Sequence, residues 1–239
     1  MERHPQPLAL DHVVVAVPDL DAAAAELERA GFYVTARSDH PFGTSNRLVM
    51  LDGTYVELVA VTRPESVPES GFARFIQDSL AAGRAGPLLF AFRSDDASAD
   101  LERMARHGIR VPTEPLVFGR DSVRRDGSTR PVEFSVVVPD FGDLAVGSFV
   151  CQHLTLDEVW HPDLLDHANG ARRLTEVYSD AAGSGEWDLM AKVTEAEGPP
   201  FRLPNTTIHA GSSRLVIEAD RETRAEIAGT SVDLVPAAV

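Results

Sequence analysis

The sequence predicts an α+β fold built on a repeated βαβββ unit, and three observations support this prediction. Residues 8–62 read as a strand, a helix and three further extended segments. Residues 87–155 repeat the same order of elements after a linker, 63–86, that contains a short helix. Residues 156–239 contain short alternating segments and predict a β-rich C-terminal extension.

The first module opens with an apolar strand. Leu10–Val17 is rich in β-branched residues and stops at Pro18, which favours a strand over a helix. In the alanine-rich helix that follows, Asp19 or Asp21 is the expected N-cap, and Gly31 takes the position after the last turn. Three extended segments complete the module: Tyr33–Arg37, Asn46–Leu51 and Thr54–Val61.

Two side chains in this module are unusual for apolar strands. His12 lies in the first strand and Glu57 in the last, each between apolar neighbours. A carboxylate in a half-buried strand is costly unless another group pairs with it. Histidine and glutamate on the concave face of one sheet are suitable ligands for a divalent metal. The alternative is a buried His–Glu hydrogen bond with a packing role alone.

The motifs of the first module are Leu-Asp-His-Val-Val-Val-Ala-Val-Pro-Asp-Leu-Asp, Gly43-Thr44-Ser45-Asn46-Arg47-Leu48 and Tyr55-Val56-Glu57-Leu58. They resemble the vicinal oxygen chelate superfamily, and within it the glyoxalase-like domains in which a His-Pro-x-Gly-Thr-x-Asn loop precedes a Tyr-hydrophobic-Glu-Leu strand. This resemblance implies paired βαβββ modules that form an open, cup-shaped mixed or antiparallel sheet. It also implies a divalent metal, Mn, Fe, Zn or Ni, at the floor of the cup.

The resemblance implies several different chemistries, among them isomerisation, ring cleavage, epoxide opening and drug sequestration, so it predicts fold better than reaction. We expect a metal-dependent lyase, isomerase or dioxygenase-type enzyme that acts on a small oxygenated substrate in the cup. The alternative is a non-catalytic protein of the same fold that binds and sequesters a small molecule, as drug-resistance proteins do. A structural or dimerisation role is the third possibility, and a homodimer is compatible with each.

The second module departs from the superfamily pattern. Gly31 and Gly108 align the modules at a constant offset, which places Leu89 where the first module has His12. Superfamily members often have a histidine or glutamine there. On the strand Phe149–His153, Gln152 corresponds to Glu57, so the expected metal ligands are His12, Glu57 and Gln152. A register one residue different would turn His153 into the cup instead.

The remaining elements of the second half have weaker signals. A helix is expected at Phe72–Ala82, a strand at Pro87–Phe92 and a helix ending near Met104. Strands at Leu116–Ser122 and Val132–Val138 flank a turn at Asp126-Gly127. The extension predicts no helix; its expected strands are Arg172–Ser179, Thr206–Ala210, Ser213–Ala219 and Ile227–Val235.

Glu57 or a nearby histidine, His153, is the candidate catalytic residue because either group can move a proton. Five further residues are expected to contact the substrate: Asn46, Arg47, Tyr55, Trp160 and His161. Trp160 and His161 follow the last strand of the second module, where a loop that covers the cup is expected. A solvated surface loop is the alternative for His161 and also for His167.

The composition of the chain and the motifs it lacks argue against several other classes of function. The net charge of −15 argues against binding to nucleic acid, and no apolar run is long enough for a membrane helix. The single Cys151 cannot form an intramolecular disulfide and fits a reducing, cytoplasmic location. There is no nucleophile elbow and no phosphate-binding glycine motif. A small-molecule ligand is the expected partner.

Overall fold

The structure, a computed structural model, describes residues 7–69, 71–180 and 183–237. The first half contains β1 (Leu10–Ala16), α1 (Leu20–Arg29), β2 (Ser38–Asp39), β3 (Thr44–Leu51), β4 (Thr54–Val61), α2 (Phe72–Ala81), β5 (Gly86–Arg93), α3 (Ala97–Arg106), β6 (Leu116–Val123), β7 (Thr129–Val137) and β8 (Gly147–His153). The second half contains α4 (Leu156–Val159), β9 (Arg173–Ser179), α5 (Ser184–Thr194), β10 (Phe201–Arg202), β11 (Thr207–Ala210), β12 (Arg214–Glu218), β13 (Thr223–Ile227) and β14 (Thr230–Val235).

The first eight strands form one curved sheet in the order β2-β3-β4-β1-β5-β8-β7-β6. In the two modules, β1 pairs in parallel with β4 and β5 pairs in parallel with β8, whereas β1 and β5 run antiparallel. The sheet is nearly closed, since Ser38 on β2 donates a hydrogen bond of 2.6 Å to the carbonyl of Asp121 on β6. The mixed sheet and the two βαβββ modules of the prediction are confirmed.

Two apolar cores lie on opposite faces of this sheet. The inner core contains Val14, Met50, Tyr55, Phe149 and Cys151 and is covered in part by Ile76 of α2. The outer core joins β1 and the helices α1, α3 and α5 to the second sheet, in which the order of strands is β10-β11-β9-β12-β14-β13. The C-terminal extension therefore packs on the outer face, and α2 from the linker covers the inner face.

A β-bulge interrupts β1 next to the inner core. Leu10 pairs with Phe92 and His12 pairs with Ala91, so two residues of β1 oppose one residue of β5 and Asp11 is the extra residue. Leu10 and Val13 both belong to the outer core. Asp11 and His12 thus lie between two outward residues, and the bulge allows both of their side chains to serve the inner side.

Some predicted elements need correction. The predicted extended segment Tyr33–Arg37 is not a regular strand: Thr35 donates a backbone hydrogen bond to Leu48 of β3, but the strand β2 begins only at Ser38. The extension contains the eleven-residue helix α5, which the sequence did not predict. The predicted last strand is the hairpin of β13 and β14. Asp19 is the N-cap of α1, since its carboxylate accepts hydrogen bonds from the backbone N–H groups of Asp21 and Ala22.

Candidate metal centre

The inner face of the sheet encloses a cavity of about 790 Å³, a volume suited to a small organic ligand. Its polar end is lined by His12, His40, Tyr55, Glu57 and Arg120. Most of the remaining wall is aromatic or aliphatic and comes from both modules and from α2. The cavity therefore combines one polar end with an apolar body and a set of mostly exposed charged side chains: Glu69, Arg74, Asp78, Arg84, Arg110, Glu114, Asp140 and Asp143.

His12 is held firmly at the polar end. Its Nδ1 atom lies 2.7 Å from Oδ1 of Asp11, and its ring stacks on Tyr55 with 4.4 Å between the centroids. A carboxylate accepts hydrogen bonds, so Nδ1 carries the proton and donates to Asp11. The other ring nitrogen, Nε2, lies 3.5 Å from Oε2 of Glu57. The lone pair of Nε2 is thereby presented on the side of Glu57.

Asp11 is a fully buried carboxylate with three donors around it. Besides His12, it accepts hydrogen bonds from Nε2 of His153 at 2.8 and 2.9 Å and from Nε of Arg93 at 3.0 Å. Burial by itself would raise the pKa of Asp11, but His153 and His12 outweigh it and hold that pKa well below its usual range. Asp11 therefore stays ionised and fixes the orientation of His12.

Glu57 is positioned by Asn46 and faces a second histidine. Nδ2 of Asn46 donates to Oε1 of Glu57 at 2.5 Å and lies 3.2 Å from Nε2 of His40. That same Nε2 lies 3.7 Å from Oε1 of Glu57, and Nδ1 of His40 lies 2.8 Å from Oγ1 of Thr44. Since Asn46 offers a donor to Nε2, the proton of His40 belongs on Nδ1 and is donated to Thr44.

Burial lowers the pKa of His40 to about 4, although Glu57 acts in the opposite direction. His40 is therefore neutral at pH 7 and keeps a lone pair on Nε2. Nε2 of His12 and Nε2 of His40 lie within 4.0 Å of the two oxygens of Glu57, although the three donor groups do not all lie within 4.8 Å of one another. These three groups are nitrogen and oxygen donors of the kind that hold Fe, Mn, Zn or Ni.

His40 was not among the residues predicted for the site. It begins the loop His40-Pro41-Phe42-Gly43-Thr44-Ser45-Asn46, which contains the motif that carries the family resemblance. The short loop between β2 and β3 turns sharply at Gly43, which has a φ of 89°. A residue with a Cβ would not fit there, because that Cβ would lie 2.6 Å from the carbonyl oxygen of Arg63. A search of the loop motif for donors, and not of the strands alone, would have identified His40.

In the part of the chain that the structure describes, Asp11, His12 and Cys151 form the one group of three potential ligands whose donor atoms all lie within 4.8 Å of each other. This group is a poorer candidate. The oxygens of Asp11 already accept from three side chains, and burial raises the pKa of the Cys151 thiol well above its ordinary value. Asp11 acts here on His12 through a hydrogen bond.

Gln152 does not reach the polar end, so the predicted ligand set must be corrected. Its amide accepts from the backbone N–H of Ala97 at 3.1 Å and donates to the carbonyl of Asp95 at 2.8 Å, which fixes the start of α3 on the outer face. In the parallel pairing, His12 opposes Tyr55 and Leu89 opposes Gly147. The position equivalent to Glu57 is therefore two residues after Gly147, at the apolar Phe149.

His153 lies on the side of β8 that carries Phe149 and Cys151, but it does not enter the cup as the alternative register would require. It contacts Asp11, lies against Tyr55 and Trp160 at centroid distances of 6.4 and 5.0 Å, and leaves its buried Nδ1 without a hydrogen-bond partner among the described residues. His153 is not part of the cavity wall. It lies behind His12, one hydrogen-bonded step from the polar end.

The five predicted substrate contacts separate into different positions. Tyr55 lines the cavity, and Asn46 lies beneath it and supports Glu57. Arg47 points to the outer face, where it bonds Thr35, Asp21 and Glu28. The Trp160 indole donates to the carbonyl of Leu51 at 3.0 Å, and His161 is exposed and paired with Asp163. Arg47, Trp160 and His161 are absent from the described cavity wall.

A sequence model described as the glyoxalase-like domain matches residues 10–191. The chain belongs to the glyoxalase-like domain family. The expected relation to the vicinal oxygen chelate superfamily is thereby confirmed. No sequence among the curated proteins matches this member of the family.

Solved structures similar to this glyoxalase-like chain include a hypothetical protein from Staphylococcus aureus, which is 15% identical with a TM-score of 0.71 and covers 96% of this chain and 100% of its own. Methylmalonyl-CoA epimerase from Streptomyces coelicolor, in complex with 2-nitronate-propionyl-CoA, is 23% identical with a TM-score of 0.44 and covers 63% of this chain and 100% of its own. Methylmalonyl-CoA epimerase from Mycobacterium tuberculosis is 20% identical with a TM-score of 0.44 and covers 64% of this chain and 92% of its own. The likeness of fold rests on the staphylococcal structure.

Proposed function

We propose that this glyoxalase-like protein is a divalent-metal-dependent enzyme that acts on a small oxygenated substrate in the cup. The observation that carries the proposal is the approach of His12 Nε2 and His40 Nε2 to the two oxygens of Glu57, at 3.5 and 3.7 Å, at the polar end of the cavity; binding of one ion by all three would draw them closer together. The reaction class is that of a lyase, isomerase or dioxygenase, as expected from the resemblance. Mn, Fe, Zn and Ni are the candidate metals.

The chemistry of these donors fits a cation. Both histidines donate hydrogen bonds from Nδ1, one to Asp11 and one to Thr44, and so present the lone pairs of Nε2 on the side of the Glu57 carboxyl group. Asn46 lies between Oε1 of Glu57 and Nε2 of His40, but no described donor lies between Oε2 of Glu57 and Nε2 of His12, and these two buried acceptors repel unless a cation binds them. The side chain of His12 is 5% exposed and that of Glu57 is 7% exposed, so water screens this repulsion little.

In the proposed mechanism, His12, His40 and Glu57 would hold the metal at the polar end of the cavity, next to the space that the substrate would occupy. When bound, the ion supplies Lewis-acid stabilisation of negative charge on those oxygens. Asp11 and Thr44 fix the imidazoles in the tautomers that bind, and Asn46 orients Glu57 through Oε1. Aromatic side chains of the wall, among them Phe118, Phe134 and Phe149, would limit the access of water to the reacting end.

Glu57 is also the candidate proton carrier. Oε1 accepts a hydrogen bond from Asn46, whereas no described side chain donates to Oε2 within hydrogen-bonding distance. Oε2 is therefore the oxygen that can accept a proton from a substrate carbon at the polar end. His153 lies farther from the cavity than Glu57 does. It is hydrogen-bonded to Asp11 and stabilises the negative charge of that carboxylate, which in turn orients His12.

The metal content of purified protein tests the proposal. Elemental analysis should find near-stoichiometric metal in the wild type and loss of it in His12→Ala, His40→Ala and Glu57→Ala. His161→Ala is the matched control because His161 is exposed and lies outside the described cavity wall. Wild-type protein that stays metal-free after reconstitution with Mn²⁺, Fe²⁺, Zn²⁺ and Ni²⁺ would contradict the proposal.

A second candidate function is metal-free sequestration of a small molecule. The observation that favours it is the apolar pair Leu89 and Phe149, which occupies the ligand positions of the second module. Under this alternative the cavity binds ligand equally well after treatment with a chelator. Binding that disappears with the metal and returns on its addition would exclude sequestration of this kind.

We also propose that the protein works in a reducing, cytoplasmic compartment. Cys151 is free and buried in the inner core, so the fold makes no use of a disulfide at this residue. Among the described residues, none of the helices has both the length and the apolar character needed to traverse a bilayer.

A further inference from the structure

Arg120 is a cation inside the cup with unused hydrogen-bonding capacity. It lies on β6, half-buried, and its guanidinium is 5.5 Å from the ring centroid of Phe134. Its two hydrogen bonds, to Oγ of Ser38 and to the carbonyl of Asp121, are both 3.3 Å long and both use Nη1. Among the described residues, none accepts a hydrogen bond from Nε or Nη2, and no carboxylate lies within 4.0 Å.

The position of Arg120 is at the polar end of the cavity. Burial lowers the pKa of Arg120, and the negative charge of Glu57 opposes this effect most strongly among its neighbours. The positive charge of Arg120 in turn helps to lower the pKa of His40. The guanidinium is thus close enough to Glu57 to be affected by its charge, yet it makes no ion pair with it.

A partly desolvated cation without an anionic partner is costly to maintain. The other arginines of the cavity wall differ from it in this respect. Arg110 pairs with Asp140 at 3.2 Å, Arg74 lies 3.7 Å from Asp78, and Arg84 is exposed at the cavity rim. Arg120 is therefore the cation in this wall that is best placed to receive an anion from a ligand.

We infer that Arg120 binds a carboxylate of the substrate, so that the substrate class is a monocarboxylate with an aromatic or branched apolar body. The free Nε and Nη2 edge of a guanidinium matches the two oxygens of a carboxylate. The apolar body fits the wall, where Phe118 and Phe134 stack with 5.4 Å between centroids and Phe42 lies 5.3 Å from Phe118.

This inference rests on the proposed function in one respect, that the end of the substrate next to Arg120 is the end that reacts. Its test uses binding and so does not depend on activity. The probes are 3-phenylpropanoate and its uncharged isostere 3-phenylpropanamide, titrated calorimetrically into the Mn²⁺-loaded protein and into protein treated with EDTA. The variants are Arg120→Gln and Arg120→Lys, with Arg110→Gln as the matched control.

The expected result is that wild type prefers the carboxylate to the amide by about 10- to 100-fold, in line with a charge-assisted pair. Arg120→Gln should lose this preference, Arg120→Lys should retain part of it, and Arg110→Gln should keep it. A preference that persists in Arg120→Gln and vanishes with EDTA would assign the carboxylate to the metal and overturn the inference. Failure of the wild type to bind the carboxylate would overturn it too.

The metal content of the same preparations separates this inference from the proposed function. Arg120→Gln should contain as much Mn²⁺ as wild type, since Arg120 is not a ligand. An Arg120-dependent preference in a protein that binds no metal would support the inference and contradict the proposed function. A protein that binds the metal but does not prefer the carboxylate would support the proposed function and contradict the inference.

Discussion

Nδ1 of His12 lies 2.7 Å from Oδ1 of Asp11, its immediate neighbour in the chain. In a regular strand, adjacent side chains point to opposite faces and such a contact does not form. The bulge in β1 makes it possible, because Asp11 is the unpaired residue between Leu10 and His12. A local irregularity of the backbone thereby supplies the group that orients a proposed metal ligand.

Replacement of Asp11 by asparagine should weaken both the fold and the proposed centre. The change removes a buried negative charge from Arg93 and the two histidines, so the free energy of unfolding should fall by about 3–5 kcal/mol. Metal affinity should fall by about 10- to 100-fold because His12 loses its orienting partner. Denaturant unfolding and metal titration of the folded variant measure these effects, with Asp163→Asn at the exposed His161 pair as control. Unchanged metal affinity would show that Asp11 does not orient His12 for metal binding.

Gln152 provides the opposite test. Gln152→Leu should lower the free energy of unfolding by about 1–2 kcal/mol, since it removes the hydrogen bonds to Ala97 and Asp95 at the start of α3. The metal content should not change because the amide lies on the outer face. Thermal unfolding and elemental analysis of one preparation provide both values. A loss of metal would restore Gln152 as a ligand and would contradict the register of β8.

The pH dependence of stability should report on His40. Its pKa of about 4 in the folded protein lies below the ordinary value of 6.5, so the neutral form stabilises the fold fully above pH 6.5. This stabilisation is lost as the pH falls from 6.5 towards 4, because the unfolded chain takes up the proton first. Between pH 7 and pH 4.5, wild type should lose about 2–3 kcal/mol more than His40→Gln.

That comparison is made by urea unfolding in the presence of a chelator, so that bound metal does not affect the result. The titratable and charged groups that act on His40 are Glu57, Arg120, His12 and Asp39, and all of them remain in the variant. The exposed His161→Gln variant is the control and should behave as wild type. Equal losses in wild type and His40→Gln would show that His40 is not a buried neutral base.

Trp160 should contribute to stability and not to ligand binding. Trp160→Phe removes the hydrogen bond to Leu51 and the contact with the Arg93 guanidinium at 4.5 Å, which should cost about 1–2 kcal/mol. The affinity for 3-phenylpropanoate should stay within a factor of about two, since Trp160 is not in the described cavity wall. Calorimetric titration of the variant measures this affinity. A large loss of affinity would place Trp160 in the cavity after all.

The sequence predicted His12 and Glu57 correctly as neighbours because strand alternation and apolar flanks are visible in the residues themselves. It could not predict the role of Asp11, since a one-residue bulge leaves no mark in an apolar run. The register error at Gln152 has the same origin: period-two alternation fixes the two faces only when the pairing is known. His40 was missed because it lies in a loop, where periodicity carries no information.

The C-terminal errors also have local causes. Helix α5 follows Gly183 and contains Gly185, a composition typical of a flexible turn, although Met190 and Val193 on its inner side are fully buried. The hairpin between β13 and β14 turns at Ala228 and Gly229, with φ values of 48° and 75°. Alanine rarely adopts a positive φ, so Ala228 hides the turn and leaves Gly229 as the single residue there that favours one.

The most direct test of the account is the position of the metal in crystals of the protein grown with Mn²⁺ or Zn²⁺, located by anomalous scattering. The account predicts one peak at about 2.0–2.2 Å from Nε2 of His12, Nε2 of His40 and a carboxylate oxygen of Glu57. A peak among Asp11, His12 and Cys151, or the absence of a peak from the cup in crystals soaked to saturation, would contradict it.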